Sequence, residues 1–295
     1  MKKLSSLKQI ALIALFAGAI AIAFAPIFVR LSQVGPVATA FWRVSLALPA
    51  LWALSALERR SANLVRQPVS GFDFRRLIAA GLFFAGDLAF WHWSIKFTTV
   101  ANATLLANFA PIFVTFGGWL LFNQAVTFGF ILSMLVAFAG TILIVGVSFG
   151  LSLQHLLGDG LGMVTAVFYA AYILAVKNLR GDFSTATVMV WSSLVTAIVL
   201  LPVTLLFGES LFPFDVRGWL VLLALALISQ VGGQGLIAYA LAHLPASFSS
   251  VTLLVQPVMA TIFAWLILAE ALNPLQALGG LLVLLGIFFA RRESS

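Results

Sequence analysis

The stretch APIFVTFGGW at residues 110–119 and the stretch QPVMATIFAW at residues 256–265 decide how this chain is read. They stand 146 positions apart, and at that offset Pro111 meets Pro257, Thr115 meets Thr261 and Trp119 meets Trp265 without a gap. The same register pairs Gly86 with Gly232, Leu135 with Leu281 and Gly140 with Gly286. Leucine matches arise by chance in so apolar a sequence, but a shared proline, tryptophan and two glycines indicate an internal duplication. The two halves are residues 1–150 and 151–295.

Around these stretches, 62% of the 295 residues are hydrophobic and only 8% are charged, so water is not the main solvent for this surface. A bilayer core of about 30 Å needs roughly 20 apolar residues in a helix. Apolar runs bounded by charges or by Gly and Pro predict helices over 9–30, 35–57, 74–96, 98–121, 125–148, 156–178, 184–206, 216–242, 245–268 and 272–290. Lys2, Lys3 and Lys8 ahead of the run ending Ala23-Phe24-Ala25 imitate a secretory signal with its cleavage site. The run continues past Pro26 to Val29 and heads a chain of further spans, so it is read as the first helix.

The net charge of +7 reads as topology rather than nucleic-acid binding. With the N-terminus in the cytoplasm, Lys2, Lys3, Lys8, Arg59, Arg60, Arg66, Arg75, Arg76, Lys177, Arg180, Arg291 and Arg292 all fall on the cytoplasmic side. Arg30, Lys96 and Arg217 fall outside, and Arg43 lies within a span. Both termini are therefore expected in the cytoplasm. Five spans per half is an odd number, so the second half must enter the membrane from the opposite side. The expected fold is an all-α integral membrane protein of ten transmembrane helices, arranged as two inverted five-helix repeats around a central cavity. Inverted halves are a recurrent plan of secondary transporters, because exchanging the conformations of the halves turns an outward-open cavity inward.

Polar groups inside spans are costly and mark candidate pathways. Pro111 and Pro257 each remove a helical hydrogen bond and release the carbonyl four residues earlier, at Ala107 and Leu253, making two symmetric hinges or two packing kinks. Trp91, His92 and Trp93 offer rings and a polar tip for an aromatic solute. Asn102, Asn108, Tyr169, Tyr172, Gln230, Gln234, Tyr239 and Gln256 complete the polar candidates for a solute site. Gln230 and Gln234 share a helix face in a glycine-rich interruption, and Tyr239 aligns with Trp93 across the repeat. Arg43 and Asp87 have two readings, a structural ion pair or an ion-coupling carboxylate with its counter-charge. Trp52, Trp119, Trp191, Trp219 and Trp265, near span ends, read as interfacial anchors, and Glu270 as a helix cap.

Other chemistries find little here. The chain has no cysteine and three scattered histidines, so no metal site or other cofactor is expected. No G-x-S-x-G or phosphate-binding glycine loop occurs, and Ser94 and His92 face apart on a helix, so no catalytic residue is assigned. The expected partners are a small-molecule solute and the lipid bilayer, with no nucleic acid, and the chain is read as a monomer.

The residues also carry a family resemblance over essentially the whole chain. Ala246 to Thr252 (ASFSSVT), Gln256-Pro257-Val258, the run from Trp265 to Glu270, Gly279-Gly280 and Gly286 resemble the final two-helix signature of the EamA type of the drug/metabolite transporter superfamily. Ala101 to Leu105, Ala110-Pro111-Ile112 and Trp119 repeat that signature in the first half, but Asn123-Gln124 stands where Gly-Glu is usual. The resemblance implies ten helices in two repeats and export of small metabolites across a bacterial inner membrane. The Trp and Phe content makes the chain similar to amino-acid exporters of that family, those for aromatic amino acids in particular. Multidrug or other metabolite export is the alternative, although residues 9–30 lack the acidic residue that small multidrug exporters carry in their first helix.

Overall fold

The computed structural model describes residues 2–61, 66–98, 100–146, 153–269 and 272–293, without the side chains of 2–5, 61, 95–96, 100–102, 153–155 and 268. Every regular element among the described residues is helical: α1 (Lys2–Ala23), α2 (Ala25–Leu31), α3 (Pro36–Ser45), α4 (Leu48–Ser61), α5 (Gly71–Phe97), α6 (Val100–Ala107), α7 (Ala110–Phe122), α8 (Phe128–Val145), α9 (Leu153–Leu179), α10 (Thr185–Leu206), α11 (Val216–Ala224), a π-helical stretch (Leu225–Gln234), α12 (Gly235–His243), α13 (Ala246–Thr252), α14 (Val255–Leu268) and α15 (Pro274–Glu293). The glycine-rich interruption read around Gln230 and Gln234 coincides with the π-helical stretch.

Nine helical stretches among the described residues are long and apolar enough to cross a membrane: Ser6–Leu31, Pro36–Arg60, Ala103–Phe122, Phe128–Val145, Leu156–Leu179, Thr185–Leu206, Val216–His243, Ala246–Ile267 and Pro274–Glu293. These nine coincide with nine of the ten expected spans. The tenth, expected over 74–96, falls on α5, whose side chains at 95–96 lie outside the described residues. It is 27 residues long and carries Asp73, Arg75 and Arg76 near its start, with Asp87 and His92 further along. Lipid is the solvent the rest of the surface suits, since Ile13, Leu121, Leu206 and Phe128 are among many large apolar side chains left exposed.

The chain forms two compact units, each drawing on both sequence halves: residues 1–89 with 175–243, and residues 90–174 with 244–295. In the first unit, α1 lies against the π-helical stretch and α12 at glycine distance. A Cβ on Gly18 would stand 2.8 Å from the Gly233 carbonyl oxygen, and one on Gly233 would stand 2.5 Å from Ile22 Cγ1. Small residues let two helix backbones approach in this way. Both ends of α10 are tied down by loops. At its start, Arg76 donates to Asp182 (2.6 Å) and to Asn178, while Arg66 pairs with Asp73 (2.8 Å) and Asp182 (3.3 Å). Beyond its end, the Glu209 carboxylate accepts the Val37 and Ala38 N–H groups at the start of α3 (2.8 and 3.0 Å), and Trp42 Nε1 donates to the Leu211 carbonyl (2.6 Å). A carboxylate is favoured there by the first-turn N–H groups it satisfies.

In the second unit, α8 and α15 pack antiparallel: Thr127 meets Glu293, Gly140 meets Gly279, and Ala137 meets Gly286. A Cβ on Gly140 would lie 2.5 Å from the Gly279 carbonyl oxygen, and one on Gly286 would lie 2.7 Å from the Ser133 carbonyl oxygen. Those two contacts exchange under the 146-residue offset, because Ser133 corresponds to Gly279 and Gly140 to Gly286.

Trp52, Trp119 and Trp265 are about half exposed, as anchors at a lipid interface are. Trp191 instead meets Phe74 edge-on and Trp219 meets Trp42 edge-on, so these two rings serve packing within the first unit. Glu270 lies outside the described residues.

Candidate functional site

Two interrupted helices build the site, and both belong to the second unit. α6 ends at Ala107, and α7 begins at Ala110, leaving Asn108 and Phe109 in a turn. α13 ends at Thr252, and α14 begins at Val255, leaving Leu253 and Leu254 in a turn. Proline falls in the first turn of each second segment, as Pro111 and Pro257, where its missing N–H costs least. Short i to i+3 bonds bridge the breaks: Phe109 N–H to the Leu106 carbonyl (3.0 Å), Ile112 N–H to Phe109 (3.0 Å), Leu254 N–H to Val251 (3.1 Å) and Gln256 N–H to Leu253 (2.9 Å). The last bond corrects one expectation. The Leu253 carbonyl, expected to be released by Pro257, is occupied by the Gln256 N–H because the chain tightens locally into a 3₁₀-like turn.

The two breaks line one small cavity, together with α9. Its walls are Ala107, Asn108, Ala110 and Pro111 from the first break, Ser250, Leu253, Leu254 and Gln256 from the second, and Tyr169 and Ile173 from α9. Its volume of about 20 Å³ has room for about one water molecule. That is far below the roughly 300 Å³ of a typical small-molecule site, so this conformation is closed around it. None of the lining residues is ionisable in the physiological range.

The polar groups of the lining divide into committed and uncommitted ones. Asn108 Nδ2 donates to the Thr104 carbonyl of its own helix (2.9 Å), and Ser250 Oγ donates to the Ser247 carbonyl (2.8 Å). Tyr169 stacks on Tyr172 with ring centroids 6.5 Å apart. Gln256 Nε2 is buried and has no hydrogen-bond partner among the described residues.

Of the residues singled out from sequence, this cavity collects Asn108, Pro111, Tyr169 and Gln256, with Pro257 next in the chain. Trp91, His92 and Trp93 belong to the same unit but not to its lining. His92 is buried edge-on against Trp91 (4.8 Å), and Trp93 meets Phe90 (5.5 Å), which stacks on Phe168. Tyr172 stands behind Tyr169 and is buried. The side chain of Asn102 lies outside the described residues. Ala110, Ile173, Ser250 and Leu254 were not read as site residues, and Ala107 and Leu253 were read only through their backbone carbonyls. Their only signal was proximity to a proline or a spacing of four from Tyr169.

The remaining candidates sit in the first unit. Arg43, on α3, donates from Nε to Gln230 Oε1 (3.0 Å), and Gln230 Nε2 donates to Ser193 Oγ (3.2 Å), with all three buried. The guanidinium also lies over the Phe84 ring, 5.7 Å from its centroid. Asp87 lies within electrostatic reach of Arg43. Gln234 is buried on the π-helical stretch, and Tyr239 packs edge-on to His243 (5.1 Å).

Asn123-Gln124, the departure from the usual Gly-Glu, has a local explanation. Asn123 takes the left-handed conformation that ends α7, and Gln124 Oε1 accepts from Ser247 Oγ at the start of α13 (3.0 Å).

Hydropathy, helix content and these interrupted helices define a multi-pass membrane protein. The chain belongs to the EamA-like transporter family, which it matches twice, over residues 9–146 and 156–292. An uncharacterized transporter of Archaeoglobus fulgidus is 27% identical over 89% of this chain and 90% of its own length. The pseudopaline exporter CntI of Pseudomonas aeruginosa is 26% identical over 70% of this chain and 71% of its own. A crystal structure at 20% identity superposes with a TM-score of 0.79 over 99% of both chains, which bears on the fold alone.

Proposed function

We propose that this transporter is a secondary exporter of small metabolites, amino acids including aromatic ones among them, working by alternating access in a bacterial cytoplasmic membrane. The observation that carries the reading is the pairing of two repeat-related helix breaks around one cavity. Interrupted helices at corresponding positions of two halves are where transporters of inverted-repeat design bind their solutes. With α5 counted as a span, the helices number ten and both termini share the cytoplasmic side. The antiparallel contact of α8 with its counterpart α15 supports inverted halves, since inversion reverses the direction of every matched helix.

The cavity's wall supports a solute with an apolar or aromatic body: Tyr169, Ile173, Leu253 and Leu254 supply that surface, and few polar groups interrupt it. Pro111 and Pro257 act as hinges that open it. Energy comes from a solute or ion gradient.

A second reading, export of another metabolite, is favoured by the relative whose name records pseudopaline export. One experiment weighs both. Purified protein in liposomes is loaded with labelled phenylalanine, tyrosine, leucine or a broad metabolite panel, and efflux is followed with and without a pH gradient. Saturable efflux of amino acids supports the first reading, and selective efflux of other solutes supports the second. No saturable flux across the panel refutes both. Full transport by the double substitution Pro111→Ala with Pro257→Ala refutes the hinges.

A further inference from the structure

One donor in the cavity wall lacks an acceptor among the described residues. Two of its donors turn back on their own helices: Asn108 Nδ2 donates to the Thr104 carbonyl, and Ser250 Oγ donates to the Ser247 carbonyl. At the second break the Leu253 carbonyl is satisfied by the Gln256 N–H. A third donor, the buried Nε2 of Gln256, has no hydrogen-bond partner among the described residues.

A buried amide hydrogen without an acceptor costs free energy, so a group kept in that state in a cavity wall marks a place where a ligand supplies the acceptor. No carboxylate lines the cavity, so nothing there neutralises a cation. The first turns of α7 and α14 both reach it, at Ala110 and Gln256, and helix starts favour negative charge. A hydrogen bond to an ionised acceptor is roughly twice as strong as one to a neutral acceptor.

We infer that Gln256 Nε2 receives the carboxylate of the transported solute, making the substrate class carboxylate-bearing rather than simply cationic or apolar. The inference rests on the transport reading above and assigns which end of the solute enters the break between α13 and α14. The body of the solute then lies along Tyr169, Ile173 and Leu254. The repeat places Ala110 where the second half has Gln256, so only one half carries the donor and the solute binds in one orientation.

The test compares phenylalanine with phenethylamine, and leucine with isoamylamine, each pair differing by the carboxylate. Two readouts are taken on the full-length protein: the ligand-induced rise in Tm in detergent, and flux from liposomes. The wild type is expected to prefer the acid of each pair by about tenfold or more in both readouts, as befits an interaction worth at least about 1.4 kcal/mol. Gln256→Leu brings the ratio toward unity, and Gln256→Glu depresses the acids selectively by adding a like charge. Gln256→Leu also raises the Tm of the ligand-free protein, because an unsatisfied donor is removed, which shows that the variant folds.

An acid preference in Tm that depends on Gln256, without any flux, supports the site and refutes the transport reading. Flux without an acid preference, or with a preference unchanged in both variants, overturns the inference and leaves transport standing. Neither flux nor a Tm response to any of the four compounds overturns both.

Discussion

Asn123 and Ala269 occupy the left-handed conformation, with φ of 49° and 55°, and stand 146 residues apart. Each ends the second segment of an interrupted helix. Their backbone N–H groups reach back to the carbonyls of Gly118 and Ala264, which are also 146 apart. The duplication therefore extends to the backbone geometry of a helix end, well beyond the few residue identities that reveal it. Asparagine tolerates this conformation because its short polar side chain bonds locally; alanine does not have that means.

Ala269→Gly is accordingly expected to stabilise the protein. Relief of about 1–2 kcal/mol of left-handed strain exceeds the extra chain entropy of glycine, about 0.5–1 kcal/mol. Thermal unfolding in detergent should show a net gain of roughly 0.5–1 kcal/mol, and Ala269→Val should show a loss. Equal stability of the three proteins would contradict the strain.

The contact between α8 and α15 makes an opposite prediction for other glycines. Gly140→Ala drives a methyl to 2.5 Å from the Gly279 carbonyl oxygen, where backbone must shift. Overpacking of this kind costs about 1–3 kcal/mol. Gly160→Ala, on α9 with nothing within 4 Å, should instead stabilise by up to about 1 kcal/mol through helix propensity. Denaturation of the two variants side by side separates the effects.

Asp73 predicts an acid-sensitive component of stability. Burial on its own raises the Asp73 carboxyl, but hydrogen bonds from the Ser70 and Val69 backbone, from Ser70 itself and the charge of Arg66 outweigh it, holding the carboxyl below its ordinary value of 3.8. A depressed folded-state value means that the unfolded chain takes up protons first as pH falls. The stabilisation is complete above about 3.8 and is lost as pH falls below that, through the folded-state value. Tm measured from pH 7 down to about 3 should fall more steeply in wild type than in Asp73→Asn. Parallel curves would contradict this.

The buried chain from Arg43 to Gln230 to Ser193 predicts coupling. Gln230→Leu removes an acceptor from a buried guanidinium, and hydrogen bonds to charged groups are worth about 1.5–3 kcal/mol, so a loss near 2 kcal/mol is expected. Combining it with Arg43→Met should cost less than the sum of the single changes, because the group left unsatisfied is gone. Strict additivity in a double-mutant cycle would show that the two residues act independently.

How far the sequence could be read depended on whether a property was local. The α9, α10 and α15 helices lie within a few residues of the predicted spans because about 20 apolar residues in a row form a helix wherever they are put. The breaks at Asn108 and Leu253 follow from prolines three or four residues on, whose ring excludes an unbroken hydrogen-bond ladder. The α5 helix, over Gly71–Phe97, likewise covers the predicted 74–96.

Side-chain partnership was not legible. Arg43 has Asp87 within electrostatic reach, as the sequence offered, but the bond from its Nε to Gln230, 187 residues away, was announced by no local pattern. Likewise the described cavity is walled largely by Ala, Leu, Ile and Pro, residues that composition does not single out. The duplication that opened the sequence, Pro111 with Pro257 and Trp119 with Trp265, was fully determined by residue identity and offset. That both breaks face one cavity, and that Gln256 Nε2 is left there without an acceptor, was decided only by tertiary structure, because hydrogen-bond satisfaction depends on which distant groups packing brings within about 3 Å.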